Sequence, residues 1–191
     1  MTPLCDLANK YGSDKCPEIK HSYTPVYYEL FKDKRETFKK ILEIGVGCPM
    51  SMPRRVRNRP QYRTGASLFM WEEFFPNAQI YAIDVLPECI FKKGRIESFL
   101  LDQYKKEDLL GLIEKIGTDI DLVVDDGSHV PEHQVFSCLT LMPLLKKDVF
   151  YIIEDVKQLE ITEQLKDYSV TYNRFRHKAG FDDRLLIIKN K

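Results

Sequence analysis

Two short stretches concentrate the groups in this chain that can do chemistry. They are Asp125-Asp126-Gly127-Ser128-His129 and, beginning 28 residues after Asp126, Glu154-Asp155. Four carboxylates and one or two imidazoles (His129, with His133 one helical turn on) would repel one another's like charges unless a cation sat among them. Oxygen donors of this kind suit Mg²⁺, Mn²⁺ or Ca²⁺ better than zinc. Each stretch alone also reads as ordinary local structure, because acidic residues cap helices and Asp-Gly-Ser makes turns. The second acidic pair, at the matching place in the chain, favours a site over a capped turn.

The elements that must position these groups follow from the flanking residues. Each stretch closes an apolar, β-branched run: Ile120 to Val124 before the first, Val149 to Ile153 before the second. Such runs, bounded by polar breaks, read as buried parallel strands, and residues 133–147 between them read as a helix. A strand–helix–strand unit returns the chain to a neighbouring parallel position. Both acidic clusters then emerge at the carboxyl edge of adjacent strands, where open α/β sheets bind ligands.

The same alternation runs through most of the chain. Strands are expected near 41–45, 79–84, 96–101, 121–125, 148–153, 167–173 and 183–189, with helices near 66–75, 104–116, 131–145 and 158–166. The fold class is therefore α/β: a doubly wound, mostly parallel, seven-stranded sheet. No crossover helix fits in Arg174 to Gly180, so the last two strands should form an antiparallel hairpin. Residues 1–37 look mainly helical. The chain is expected to be one domain over 1–191, a helical extension (1–37) followed by the sheet core (38–191).

A second group of residues points to a bound cofactor. Ile41-Leu42-Glu43-Ile44-Gly45-Val46-Gly47 is an apolar strand running into a Gly-x-Gly turn, where glycines let a ligand approach the backbone. A dinucleotide fingerprint needs a third glycine where Met50 stands. The next strand ends in Asp84, which can hold both hydroxyls of a ribose or simply cap the strand. Asp102-Gln103 after the third strand could bracket an adenine, or cap the helix that follows. Trp71, the only tryptophan, reads as core rather than as a stacking platform.

Composition narrows the classes. Lys+Arg and Asp+Glu both number 29, which argues against general nucleic-acid binding. The five cysteines form no C-x-x-C pair and read as reduced thiols. The start shows no basic region followed by an apolar core, and no apolar run approaches the roughly 20 residues of a membrane span. A cytoplasmic protein without a membrane partner is expected; a homo-oligomer remains open.

Glu-x-Gly-x-Gly, the acidic end of the next strand and the terminal hairpin together resemble the class I S-adenosylmethionine-dependent methyltransferases. Five stretches resemble, more narrowly, the metal-dependent sugar O-methyltransferases of macrolide biosynthesis, the mycinamicin and tylosin type. They are Gly12-Ser13-Asp14-Lys15 with His21 and Tyr23, Leu42 to Gly47, Gly65-Ala66-Ser67-Leu68 with Trp71, Asp125 to His129, and Ile153-Glu154-Asp155. The resemblance implies a Rossmann-like fold, S-adenosylmethionine, and Mg²⁺ (or Mn²⁺) on Asp126, Glu154 and Asp155, with His129 as general base. The cofactor-binding set expected from these stretches and strand ends is Glu43, Gly45, Gly47, Ser67, Asp84, Asp102, Gln103 and Asp125. The additional N-terminal domain of that family is not expected within these residues, which leaves the exact acceptor open. A small hydroxylated acceptor, a sugar or sugar nucleotide and possibly anionic, is expected.

Methyl transfer from a sulfonium is an in-line displacement, so the nucleophile must be aligned and its proton removed. A cation chelated by neighbouring hydroxyls lowers the acceptor's pKa, and an imidazole with a pKa near 6.5 suits proton acceptance. Two other classes compete: an NAD(P)-dependent oxidoreductase of nucleotide-sugar type, and a methyltransferase-like binding module without turnover. The Arg-rich segment 48–64, carrying Arg54, Arg55, Arg57, Arg59 and Arg63, reads either as a solvated connector or as a lid whose guanidinium forks grip an anionic acceptor.

Overall fold

The structure, a computed structural model, describes residues 1–175 and 184–191 and their side chains except that of Arg55. Eight strands form one sheet: β1 (Lys40–Ile44), β2 (Gln79–Asp84), β3 (Lys92–Lys93), β4 (Ile96–Leu100), β5 (Leu122–Asp125), β6 (Phe150–Ile153), β7 (Ser169–Arg174) and β8 (Arg184–Lys189). Their order is β3-β4-β2-β1-β5-β6-β8-β7. The five strands β4, β2, β1, β5 and β6 run parallel, and β8 is antiparallel to both β6 and β7. The chain leaves β1 towards β2 on one side and later returns to β5 on the other. That reversal opens a crevice at the carboxyl ends of the central strands.

The expected doubly wound sheet with its terminal hairpin is found, with one strand more than the seven anticipated. The addition, β3, is two exposed lysines paired antiparallel with Glu97 and Ile96. It carries no apolar signal by which a sequence could announce it. Of the connection expected between β7 and β8, residues 176–183 lie outside the described residues.

Helices α1 (Pro3–Tyr11), α2 (Tyr23–Phe31) and α4 (Ala66–Phe74) pack on one side; α5 (Lys106–Ile116), α6 (Pro131–Leu141) and the single turn α7 (Ile161–Gln164) pack on the other. Successive residues of each buried strand feed the two cores alternately, as the pleat requires. Ile41, Val124 and Ile152 enter the first core, Leu42, Val123 and Ile153 the second. The first core is rich in aromatic rings, among them Tyr23, Tyr27, Phe31, Trp71, Phe74 and Phe75, while the second is mainly aliphatic. α6 stops at Leu141, earlier than the expected 145, and continues as a 3₁₀ turn through Pro143, whose ring removes a helical donor. The expected helix over 158–166 is reduced to α7. The segment 48–64 holds one helical turn, α3 (Arg54–Arg57). Among the described residues no helix is long and apolar enough to cross a membrane.

The N-terminal segment is tied tightly to this frame. Thr2 caps α1, its hydroxyl accepting from the Cys5 N–H at 3.3 Å, and Pro3 occupies the first turn. Gly12 ends the helix at φ +77°, and a Cβ there would lie 2.7 Å from the backbone of Tyr62. Past this turn the chain dives inward, leaving Lys15 1% exposed. The N–H groups of Tyr23 and Thr24, at the start of α2, donate to the Lys15 carbonyl at 3.1 and 3.0 Å.

Candidate functional site

The ladder of the sheet continues one residue past three central strands. Gly45 N–H donates to the Ile83 carbonyl at 2.8 Å, Asp126 N–H to Ile44 at 2.9 Å, and Glu154 N–H to Asp125 at 2.9 Å. The residues following β1, β5 and β6 therefore form a row along the carboxyl edge. Beside that row is a cavity of about 540 Å³, a size suited to a small ligand. Its wall joins the glycine turn and the end of β2 to Asp126, His129 and Asp155.

Three side chains converge at the acidic end. Atoms of Asp126, His129 and Asp155 lie within 4.8 Å of one another, close enough to share one cation. His129 Nε2 is 3.2 Å from Asp126 Oδ1, and Nδ1 is 3.4 Å from Asp155 Oδ2. His129 and Asp155 sit at φ +55° and +52°, and among the described residues they alone of the non-glycine residues have positive φ. Such backbone costs energy and persists where surrounding contacts over-determine it, often at working sites. The two carboxylates give hard oxygen donors that fit Mg²⁺ or Mn²⁺, and the imidazole is a softer group beside them.

Glu154 points elsewhere. Its Oε2 accepts from Lys15 Nζ at 2.6 Å, and its Oε1 accepts from the Tyr27 hydroxyl. The expected trio of Asp126, Glu154 and Asp155 is thus split: two members face the cavity and one is held below it. Lys15 also donates to Asp126 Oδ2 at 2.5 Å and stands 3.5 Å from Glu43 Oε1. Asp155 is engaged from the N-terminal segment by the Tyr23 hydroxyl, with His21 Nε2 at 3.6 Å and Lys20 Nζ at 4.0 Å.

Charge follows this geometry. Burial pulls the Lys15 ammonium down, but Asp126, Glu154 and Glu43 outweigh it and hold it well above its ordinary value. Burial lifts the Asp126 carboxyl, yet Lys15 and His129 prevail and hold it below the usual carboxylate range. Burial pushes Glu154 and Asp155 up, the negative charge of Asp126 adding to both. Burial opposes the His129 cation, but its hydrogen bond and charge contact with Asp126 raise it overall.

The cofactor candidates divide into those that line the cavity and those that brace it. Gly45, Gly47, Ser67, Asp84, Asp102 and Gln103 line it; Glu43 and Asp125 do not. Gly45 is glycine for a reason other than ligand approach, since a Cβ there would lie 2.1 Å from the Asp126 carbonyl oxygen. The Asp84 oxygens accept the N–H groups of Val46 and Leu86, each at 2.9 Å, leaving further lone pairs for a ligand. Asp102 caps the following turn through the Tyr104 N–H at 2.9 Å. Gln103 bridges inward, its amide donating to Asp125 at 3.1 Å and accepting from Ser128 N–H at 2.8 Å. Asp125 is fully buried, also accepts from the Ser137 hydroxyl at 2.6 Å, and burial pushes its carboxyl up to about 6. Glu43 accepts from Ser67 at 2.6 Å and from Trp71 Nε1 at 2.5 Å, so Trp71 is core, as expected, and also a donor. His133 lines the cavity, accepts or donates at Ser128 Oγ 2.9 Å away, and stacks on Tyr104.

The segment 48–64 does wall the cavity, but through Ser51, Met52, Pro53 and Tyr62 rather than through its described arginines. Arg57 donates to the Pro49 carbonyl at 2.9 Å, and Arg63 lies over the rings of Tyr11 and Phe69. The residues that sequence reasoning left without a role are Lys15, Lys20, Tyr23 and Tyr27. The signal available for them was two lysines and two tyrosines placed ahead of the first strand, close to Asp14 and His21.

No family model matches the chain. It is 33% identical over 154 residues to 8-demethyl-8-alpha-L-rhamnosyl tetracenomycin-C 2'-O-methyltransferase of Streptomyces olivaceus, covering 81% of this chain and 38% of that protein. It is 34% identical over 153 residues to mycinamicin VI 2''-O-methyltransferase of Micromonospora griseorubida, covering 80% and 36% respectively. The chain thus spans less than two fifths of the length of these relatives. Among solved structures it resembles MycE methyltransferase from the mycinamycin biosynthetic pathway, in complex with Mg and SAH, at a TM-score of 0.76 and 24% identity. That match covers 98% of this chain and 54% of the other.

Proposed function

This chain has the class I S-adenosylmethionine-dependent methyltransferase fold and resembles the sugar O-methyltransferases of antibiotic biosynthesis, and from that premise we propose that it transfers a methyl group to a hydroxyl of a small acceptor, a sugar or sugar nucleotide, with the help of a divalent cation. The observation that carries the reading is the single cavity joining the Gly45–Gly47 turn to the Asp126–His129–Asp155 cluster.

In this reading Gly45 and Gly47 face the amino-acid end of S-adenosylmethionine, with Ser67 beside them. Asp84 takes the ribose hydroxyls, and Asp102 with Gln103 borders the adenine. Glu43 and Asp125 act from beneath: Glu43 orients Ser67, and Asp125 holds Gln103. Asp126 and Asp155, with Glu154 as a third carboxylate beneath them, would hold Mg²⁺ or Mn²⁺. The cation, when bound, acidifies the acceptor hydroxyl. His129, its ring set between Asp126 and Asp155, would take the acceptor's proton. The acceptor oxygen bonds to the methyl carbon, the carbon–sulfur bond breaks, and S-adenosylhomocysteine leaves. Residues 1–191 act as one unit in which the helical segment 1–37 completes the acidic end. The five cysteines, all free and buried, suit a reducing cytoplasm.

The test is transfer of a labelled methyl group to rhamnosides and nucleotide-linked deoxysugars in Mg²⁺ and in EDTA. Transfer that requires the metal is expected. Full transfer in EDTA, or none to any hydroxylated sugar, contradicts the reading.

A further inference from the structure

We propose that Lys15 is a positioning residue of the acidic cluster: a built-in cation that orients Asp126 and Glu154 and weakens their hold on a divalent ion, so that the fold does not depend on that ion. The inference rests on the cation-site reading above and extends it to a residue outside the sheet.

Lysine is rarely buried completely unless it is paired. Here the ammonium has three carboxylates around it, one from each of three neighbouring strands: Glu43 in β1, Asp126 after β5 and Glu154 after β6. The ammonium donates to Asp126 and Glu154, and Glu43 adds a charge contact at 3.5 Å. The stem is fixed as well. The Lys15 carbonyl accepts two N–H groups from the start of α2, and the Gly12 turn behind it packs on the Tyr62 backbone. Lys15 therefore reaches the cluster from below along a path set by the fold.

This placement divides the Asp126 carboxylate. Oδ2 faces Lys15 at 2.5 Å and Oδ1 faces His129 at 3.2 Å. A cation held by Asp126 and Asp155 would sit one carboxylate away from the ammonium. Two effects of Lys15 on that cation then oppose each other. Orienting Asp126 favours binding by about as much as one hydrogen bond. Repulsion between a unit charge and a divalent ion at such a separation is larger. Repulsion wins, so Lys15 loosens the cation site while holding the carboxylates together when no divalent ion is present.

Lys15→Met keeps the length of the stem and removes the charge. Mn²⁺ binding followed by electron paramagnetic resonance should show a Kd at least about tenfold lower than wild type. In EDTA the variant should melt about 10 °C lower, because buried carboxylates lose their partner. Mn²⁺ should restore most of that loss while moving the wild type little. Equal or weaker Mn²⁺ binding by the variant, or an Mn²⁺-induced rise in Tm no larger than the wild type's, overturns the proposal. If neither protein binds Mn²⁺, the cation-site reading falls and this inference with it. If Lys15→Met does not fold, Lys15→Met/Glu154→Gln removes the charge together with one partner. It should fold in EDTA, and its failure to do so would make Lys15 a packing residue and overturn the proposal.

Discussion

The carboxyl edge of the sheet is built in two different ways on either side of β1. Towards β2 and β4, acidic side chains direct their oxygens at nearby backbone: Asp84 accepts from Val46 and Leu86, and Asp102 from Tyr104. Towards β5 and β6, Asp126, Glu154 and Asp155 are met mainly by side chains, those of Lys15, Tyr23, Tyr27 and His129. Lys15 lies 111 residues from Asp126 and 139 from Glu154. Backbone partners arrive with the turn itself and give a preformed cradle. Distant side-chain partners give a balance of charge that one substitution can tip. Binding of the cofactor and binding of the cation should therefore separate under mutation.

The largest effect should come from the charged half. Asp126→Ala removes the carboxylate shared by Lys15 and His129, and methyl transfer should fall by about a thousandfold or more. Calorimetry should find S-adenosylhomocysteine affinity within about threefold of wild type. A parallel loss of that affinity would break the separation. His129→Ala comes next, with a fall of roughly a hundredfold to ten-thousandfold in kcat, cofactor and Mn²⁺ binding being retained. A rate within about threefold of wild type, under 1 kcal/mol of barrier, removes His129 from the base role.

On the other side, Asp84→Ala should raise the Kd for S-adenosylhomocysteine about tenfold to a hundredfold, the range of a hydrogen bond to a charged group. Mn²⁺ affinity should not change, and a matching loss of it would show that the halves are coupled.

A stability effect with no bearing on turnover sharpens the boundary between them. Burial lifts the Asp125 carboxyl from 3.8 to about 6. The folded state therefore holds this proton more tightly than the unfolded chain. The resulting stabilisation is complete below pH about 4 and is lost as the pH rises to about 6. Asp125→Asn lacks this titration, so its stability relative to wild type should improve by roughly 2–3 kcal/mol across that window and then stay level. Denaturant melts at pH 4, 5, 6 and 7 check this, and parallel curves for the two proteins would refute it.

The contrast also explains what the sequence could disclose. The strand ends were legible because apolar runs such as Val149 to Ile153 stop abruptly at acidic residues, and because a pleat buried on both faces leaves an unbroken apolar run. Asp126, His129 and Asp155 were legible for the same reason: they stand at or just after those stops. Gly45 was legible as a glycine, but its cause was not, since the Asp126 carbonyl that requires it comes from another strand. The inward turn of Glu154 left no local trace, and Lys15 stood in a short motif that did not show its partners, because these groups meet only after the sheet has assembled. The arginines of 48–64 offered an anion grip by composition alone. Folding gave Arg57 to the Pro49 carbonyl and Arg63 to two aromatic rings, and left Met52 and Tyr62 to wall the cavity.

The measurement that tests the central claim most directly is titration calorimetry with S-adenosylhomocysteine and with NAD, each in EDTA and in excess Mg²⁺. The account predicts micromolar binding of S-adenosylhomocysteine under both conditions, through a cradle that needs no metal, and no binding of NAD. Micromolar binding of NAD with no response to S-adenosylhomocysteine would contradict it.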